Sequence, residues 1–359
     1  MAERIYLDWN ATAPLRVEAR EAMLGAMDLV GNPSSVHGEG RAARALIEKA
    51  RTQVATAVGC KPVEVVFTSG ATEAASVLAG LPDGAGVFVD DTAHDALWTH
   101  LNVGSGRSDG AGNTLVMGLA NNETGVISSL PEKVDGRWPY GSTVGADWLL
   151  LDVTQAIGRM AFSFAWSGAD FAVLSAHKLG GPKGVGALIL REGLDINPLS
   201  IGGGQEMGRR AGTENLIGIA GFGAAAKAAV RDLADGVWEN VAGLRDEMES
   251  YIAAQAPDTI FAGSHMPRLP NTSYMVTPGW KGETQVMVMD LAGYAVSAGS
   301  ACSSGRVRPS RVLQAMGFDD LASASAIRVS IGPTTKQEDV MQFADAWIAA
   351  YRKFNARAA

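Results

Sequence analysis

Apolar positions recur along the chain in two rhythms. Residues 16–30 set Ala19, Ala22, Met23, Ala26, Met27 and Val30 at helical spacing, and residues 40–58 repeat it with Ala43, Leu46, Ile47, Ala50, Val54, Ala57 and Val58. Short apolar runs at 63–68, 87–90, 115–119, 148–151, 171–175 and 187–190 predict strands. Helices alternating with such strands predict an α/β fold whose mostly parallel sheet is covered on both faces. Ligands of such sheets bind at strand ends. From Ile217 to Gln255 the rhythm changes to one long Ala-rich helical stretch, read as the connector to a smaller α+β unit. That unit has strand candidates at 272–276, 295–297 and 327–331. Its last helix carries Val340, Phe343, Ala344, Trp347, Ile348 and Tyr351 at helical spacing.

Composition narrows the class. A chain of 359 residues predicts two domains, and 47% hydrophobic with 19% charged residues supplies a sizeable core. A net charge of -8 argues against a nucleic-acid surface, which needs clustered Lys and Arg. The longest apolar run, Ile217 to Ala226, falls short of the ~20 residues a membrane span requires. The opening residues carry neither a signal core nor a transit-peptide bias, so the expected location is cytoplasmic. Two cysteines, Cys60 and Cys302, make no disulfide framework. The five histidines show no metal-site spacing, so no metal is expected.

Several segments carry candidate chemistry. Lys178, in Ser175-Ala176-His177-Lys178-Leu179-Gly180-Gly181-Pro182, sits between two apolar strand runs, at the lip of a strand. A lysine there is costly unless its charge or amine is used, and one use is a Schiff base with pyridoxal phosphate (PLP). Upstream, Leu149-Leu150-Leu151 leads into Asp152, with Gln155 three residues on. An acid there could meet the pyridinium nitrogen of PLP, and an amide its ring oxygen. Thr68-Ser69-Gly70-Ala71-Thr72-Glu73 follows a strand and opens a helix, so it reads as an N-cap or a phosphate cup. His94 follows strand 87–90, where an imidazole could stack on a cofactor and shuttle protons; His100 reads as surface. Cys302, in Ser297-Ala298-Gly299-Ser300-Ala301-Cys302-Ser303-Ser304-Gly305, lies in a small-residue loop followed by Arg306, Arg308 and Arg311. That setting favours an accessible thiolate. Cys60 reads as inert. The loop Gly202-Gly203-Gly204-Gln205 with Arg209 and Arg210 suits anion binding or a backbone crossing near another subunit.

Over essentially its whole length the chain resembles the PLP-dependent cysteine desulfurases, in the branch whose loop reads Ser-x-Gly-Ser-Ala-Cys. Besides the lysine and cysteine motifs, residues 6–14, 31–37, Asn121-Asn122-Glu123-Thr124-Gly125 and Arg210-Ala211-Gly212-Thr213-Glu214-Asn215 are similar to family segments. The resemblance implies PLP fold type I: a large domain at 14–233 with a seven-stranded type of sheet, and a small α+β domain at 234–359 joined by segment 1–13. It implies a homodimer with the active site at the subunit boundary. Lys178 would hold the cofactor covalently, Asp152 would keep its ring nitrogen protonated, and Gln155 would bond its ring hydroxyl. Asn122 would lie beside ring and substrate, and His94 would stack on the ring and assist proton transfer. Ala71, Thr72, Ser175 and His177 would hold the phosphate, with Thr213 from the other subunit. Arg328 would fork onto the substrate carboxylate.

The implied activity takes sulfur from L-cysteine, leaving alanine and a Cys302 persulfide for an acceptor protein of iron–sulfur assembly or thiolation. A selenocysteine lyase, a class-V aminotransferase and a catalytically silent scaffold are the competing readings. A transaminase needs no cysteine on such a loop, and a scaffold needs none of Lys178, Asp152, His94 and Cys302. The chain departs from the family in two places. Only 26 residues separate His94 from Asn121, and residues 131–147 look short of helix, so the outer face is expected to be trimmed. Trp9 stands where a smaller residue is usual and could narrow the substrate entrance.

Overall fold

Six short strands, nearly all of whose side chains are buried, form the central sheet: β1 (Val65–Thr68), β2 (Val87–Val89), β3 (Thr114–Gly118), β4 (Trp148–Asp152), β5 (Phe171–Ser175) and β6 (Gly186–Leu190). The computed structural model describes residues 4–101, 112–140, 144–299 and 309–358. The chain divides into two units, residues 14–120 with 128–234, and residues 1–13 with 121–127 and 235–359.

In the first unit the strand order is β1-β6-β5-β4-β3-β2. The pairs β2–β3, β3–β4 and β4–β5 are parallel, whereas β6 runs antiparallel to both neighbours. Strands buried on both faces cannot alternate, hence the continuous runs of Val, Leu and Ile. The described residues supply six strands where the resemblance implies seven. β2, at the edge of the described sheet, is followed by the short stretch after His94, of which 102–111 lie outside the described residues. Among the described residues of 131–147 there is no helix. Their strands Trp138–Tyr140 and Val144–Ala146 pair as an antiparallel hairpin, and Tyr140 stacks on Phe88 of β2 with ring centroids 4.9 Å apart.

Helices Val17–Met27 and Gly38–Val58 pack on helix Leu216–Ala234. Small residues permit the approach: a Cβ on Gly221 would fall 2.7 Å from Met23 Cγ, and one on Gly223 2.6 Å from Ala50 Cα. The predicted apolar face of the first helix is only partly covered, since Ala19 and Ala26 are buried while Met27 and Val30 are exposed. The single helix expected over 217–255 is two, Leu216–Ala234 and Val237–Gln255. Gly236, at φ 71°, takes the left-handed conformation that ends one helix, and glycine adopts it without a Cβ clash.

The second unit holds an antiparallel sheet of β7 (Ile260–Phe261), β8 (Thr272–Val276), β9 (Ser297–Ala298) and β10 (Ala326–Ser330), in the order β7-β8-β10-β9. The strand expected at 295–297 is split. Tyr294–Ala295 pairs with Ile5–Tyr6, and Ser297–Ala298 with β10. Helix Gln337–Ala358 closes the unit with Phe343 and Trp347 fully buried, and Trp347 stacks on Tyr351 at 5.5 Å. Trp9 is buried as well; a Cβ on Gly332 would overlap its indole, so the ring is used in packing.

Candidate functional site

Parallel pairing brings three strand ends together in the first unit. The register Gly118↔Asp152 and Asp152↔Val173 sets the carboxyl ends of β3, β4 and β5 side by side. Asp152 closes β4, and its Oδ1 accepts from the Thr154 N–H at 2.9 Å. A 3₁₀ turn, Ala176–Lys178, directly follows β5 and carries His177 and Lys178. Arg159, a buried residue the sequence analysis missed, ties these pieces together. Its Nη1 donates to Gln155 Oε1 at 2.5 Å and its Nη2 to the Lys178 carbonyl at 2.9 Å. With Oε1 so occupied, the amide nitrogen of Gln155 is the end that can serve an acceptor. The Gln155–Arg159 spacing of four was the only local signal, and it lies outside any helix.

His94 follows β2 and opens the short helix Asp95–Trp98. Its Nδ1 accepts from the Ala96 N–H at 3.1 Å, which puts the proton of the neutral ring on Nε2. His100 is half-buried rather than on the surface, and desolvation lowers its pKa.

The Gly70 turn leads from β1 into the short helix Ala71–Ala75. Ser175 Oγ, at the end of β5, accepts from the Ala71 N–H at 2.8 Å, so the turn and the lysine segment share one spot. A Cβ on Gly186 would fall 2.6 Å from Gly70 Cα, so these two backbones touch. Thr72 and His177 belong to the same two segments. Burial, then the charges of Lys178 and Lys183, push the His177 pKa down to about 4, so its ring is neutral at pH 7. Glu73 accepts from the Ser69 N–H at 2.6 Å and pairs with Arg210 at 2.9 Å.

The glycine-rich loop has an unforeseen anchor. Glu206 and Met207 adopt left-handed φ values of 48° and 58°. The buried Glu206 carboxylate receives both terminal nitrogens of Arg51, at 2.8 and 2.9 Å, and the Phe67 N–H at 2.9 Å. Arg51 donates in turn to the Val65 carbonyl at 2.7 Å. β1 is an edge strand, and this ion pair fills the hydrogen-bonding positions a further strand would fill. Thr213, further along the loop, is exposed.

In the second unit, Arg328 lies on β10 and is buried. Its Nη1 donates to the Asn122 carbonyl at 2.9 Å and its Nη2 to Asp8 Oδ1 at 2.8 Å, while the buried Nε has no hydrogen-bond partner among the described residues. Asp8 Oδ2 also accepts from Ser297 Oγ at 2.7 Å. Asn10 Nδ2 reaches the Asn122 carbonyl at 3.2 Å. Asn122, Arg328 and Asp8 are thus brought together. Cys302, with Arg306 and Arg308, lies outside the described residues. Burial, with Glu64 nearby, pushes the Cys60 thiol up to about 12, which keeps it protonated and inert.

Comparison with known proteins gives a consistent picture. The chain matches the family model described as aminotransferase class-V over residues 5–96 and 113–343; the unmatched interval spans most of the shortened stretch. It is 38% identical to a cysteine desulfurase of Cereibacter sphaeroides over 94% of this chain and 93% of that protein. It is 35% identical to the cysteine desulfurase IscS of Dictyoglomus turgidum over 95% of this chain and 92% of that protein. Among solved structures it is similar to a NifS-like protein from Rickettsia africae, with a TM-score of 0.83 and 28% identity, covering 98% of this chain and all of that one.

Proposed function

We propose, from the premise that this chain belongs to the aminotransferase class-V family, that it is a cysteine desulfurase working with PLP. The observation that carries the reading is the register of β4 and β5, which sets Asp152 and the Lys178 turn at neighbouring strand ends. The donor set fits the group: a neutral histidine, a serine, a threonine and helix-start amides for a phosphate, an acid for a ring nitrogen, an amide for a ring oxygen. The tight Gly70–Gly186 approach also supports it, because side chains there would crowd the cup. The two units would be the large and small domains of fold type I.

When bound, PLP supplies an electron sink that stabilises negative charge at the substrate α-carbon. Lys178 would hold the coenzyme covalently between turnovers, and its Nζ, once released, would take the α-proton of L-cysteine. Asp152 would keep the ring nitrogen protonated. Gln155, oriented by Arg159, would donate to the ring oxygen. His94, its tautomer set by the Ala96 amide, would stack on the ring and carry a proton at Nε2. Ala71, Thr72, Ser175 and His177 would hold the phosphate, with Thr213 from a second subunit. Arg328 receives the substrate carboxylate beside Asn122. Asp8 already offsets the Arg328 charge, so the arginine stays buried and oriented between turnovers. The Cys302 thiolate attacks the substrate sulfur, forming an S–S bond as the Cβ–S bond breaks; the electron pair of that bond stays on Cβ, which takes a proton, and with the α-proton returned alanine leaves. The persulfide passes to an acceptor protein by thiol exchange. The enzyme would act as a cytoplasmic homodimer; among the described residues no helix is long and apolar enough to cross a membrane.

Mass spectrometry after incubation with L-cysteine tests this. The Cys302 peptide should gain one sulfur atom, and Cys302→Ala should lose sulfide release while keeping the cofactor absorbance. Undiminished sulfide release by Cys302→Ala would overturn the assignment.

A further inference from the structure

The segment carrying Cys302 leaves the described structure after Gly299 and re-enters it by Ser310, and one side chain meets both of its stems. Glu123 belongs to a turn locked from within: Asn121 Oδ1 accepts from the Glu123 and Thr124 N–H groups, each at 2.9 Å. Gly125 closes the turn at φ 75°, where a Cβ would strike Thr272 of β8. From this fixed base Glu123 Oε2 accepts from the Tyr274 hydroxyl at 2.8 Å and from Ser310 Oγ at 2.6 Å. Ser310 caps helix Arg311–Ala315, its Oγ accepting from the Leu313 N–H at 3.1 Å, so the bond to Glu123 also fixes where that helix starts. On the other stem a Cβ on Gly299 would overlap the Tyr274 hydroxyl and fall 3.0 Å from Glu123 Oε2. Glycine is required there by space, because the stem runs directly over the cluster.

Tyr274 is fully buried, and Ser310 and Glu123 are nearly so. A buried carboxyl group is expensive, and an apolar side chain of the same size would fill the space at less cost. What Glu123 adds is an acceptor that two hydroxyls can share, one on a stem and one beneath the other stem. We infer that Glu123 is a positioning residue for sulfur transfer: it fixes the spacing of the two stems, and through them the presentation of Cys302. This rests on the proposed desulfurase reading.

The test uses the holoenzyme and two independent readouts. The first is the single-turnover rate of Cys302 persulfidation by L-cysteine, set against α-proton exchange of L-alanine in deuterated water, a step that needs no thiol. Glu123→Leu should slow persulfidation by about tenfold or more, the scale of losing buried hydrogen bonds, and leave α-exchange largely intact. Glu123→Gln, which retains an acceptor oxygen, should restore most of the rate. Ser310→Ala and Tyr274→Phe should each reproduce part of the loss and add little to Glu123→Leu; they serve if Glu123→Leu does not fold.

The second readout is the rate of Cys302 alkylation by iodoacetamide without substrate, which the stem variants should change. Wild-type persulfidation in Glu123→Leu, an equal fall in α-exchange, or failure of Glu123→Gln to rescue would each overturn the inference, as would alkylation unchanged in every stem variant. A wild type that takes no sulfur while the alkylation rates still shift would sink the desulfurase reading alone.

Discussion

Two buried glutamates, neither of which is assigned a catalytic step, each anchor a segment, and they are held in opposite ways. Glu206, in the first unit, is an ion-pair anchor: two nitrogens of Arg51 and one edge amide of β1 surround its carboxylate. Glu123, in the second, accepts from two hydroxyls. The first holds a strained loop against a strand edge, where a full charge must be neutralised. The second bonds one stem through Ser310 and the tyrosine hydroxyl over which the other stem runs. Charge pairing should make Glu206 dominate stability, and shared acceptance should make Glu123 matter more to timing than to folding.

The largest effect should come from breaking the ion pair. In Glu206→Leu the Arg51 guanidinium stays buried without its partner and the Phe67 amide loses its acceptor, so unfolding in urea should show a loss of about 3–5 kcal/mol. Arg51→Met combined with Glu206→Leu should recover much of it, because no buried charge is left behind. Glu123→Leu should cost clearly less than Glu206→Leu. Equal losses at the two sites would erase the distinction between them.

The sequence made the strand-end cluster of the first unit legible and hid both anchors, for one physical reason. Lys178, Asp152, Gln155 and the Gly70 turn announce themselves because each follows an apolar run, and the polar residue at the end of a buried strand stands out locally. Glu206 and Arg51 are 155 positions apart, and Glu123 lies 151 from Tyr274 and 187 from Ser310, so no window along the chain contains either cluster. Periodicity also mispredicted coverage. It put Met27 and Val30 on the buried face of the first helix, but spacing defines a face and not what lies against it. The break at Gly236 was readable, since Asp235-Gly236 interrupts the alanine-rich run, but helical composition on both sides outweighed it. The short spacing from His94 to Asn121 was legible only against the family pattern; the hairpin that stacks Tyr140 on Phe88 was not legible at all.

A smaller effect separates the anchors by pH. Burial raises the Glu123 pKa, while the Ser310 and Tyr274 hydroxyls and the charges of Arg328 and Arg311 pull the other way. A carboxyl group whose folded-state pKa is raised binds its proton more tightly when folded. Its contribution is therefore complete below the ordinary carboxyl range and declines as pH rises through the folded value. Glu123→Gln cannot titrate, so it should gain in stability relative to wild type between pH 5 and pH 8. A gap that stays constant across that range would mean Glu123 is ionised throughout and is charge-anchored like Glu206.

The smallest effect tests where strain is stored. The Glu123 turn places its left-handed residue at a glycine, Gly125, so it has nothing to relieve. The Glu206 loop places two at side-chain-bearing residues, and Met207, at φ 58° and half exposed, packs too little to justify the conformation by itself. Left-handed backbone costs an L-residue about 1–2 kcal/mol, part of which glycine returns as extra freedom of the unfolded chain. Met207→Gly should therefore stabilise the protein by about 0.5 kcal/mol, and the gain should persist in the Arg51→Met, Glu206→Leu background if the strain belongs to the loop. If the gain vanishes once the ion pair is gone, the pair itself imposes the left-handed turn, and part of its binding energy goes into bending the loop.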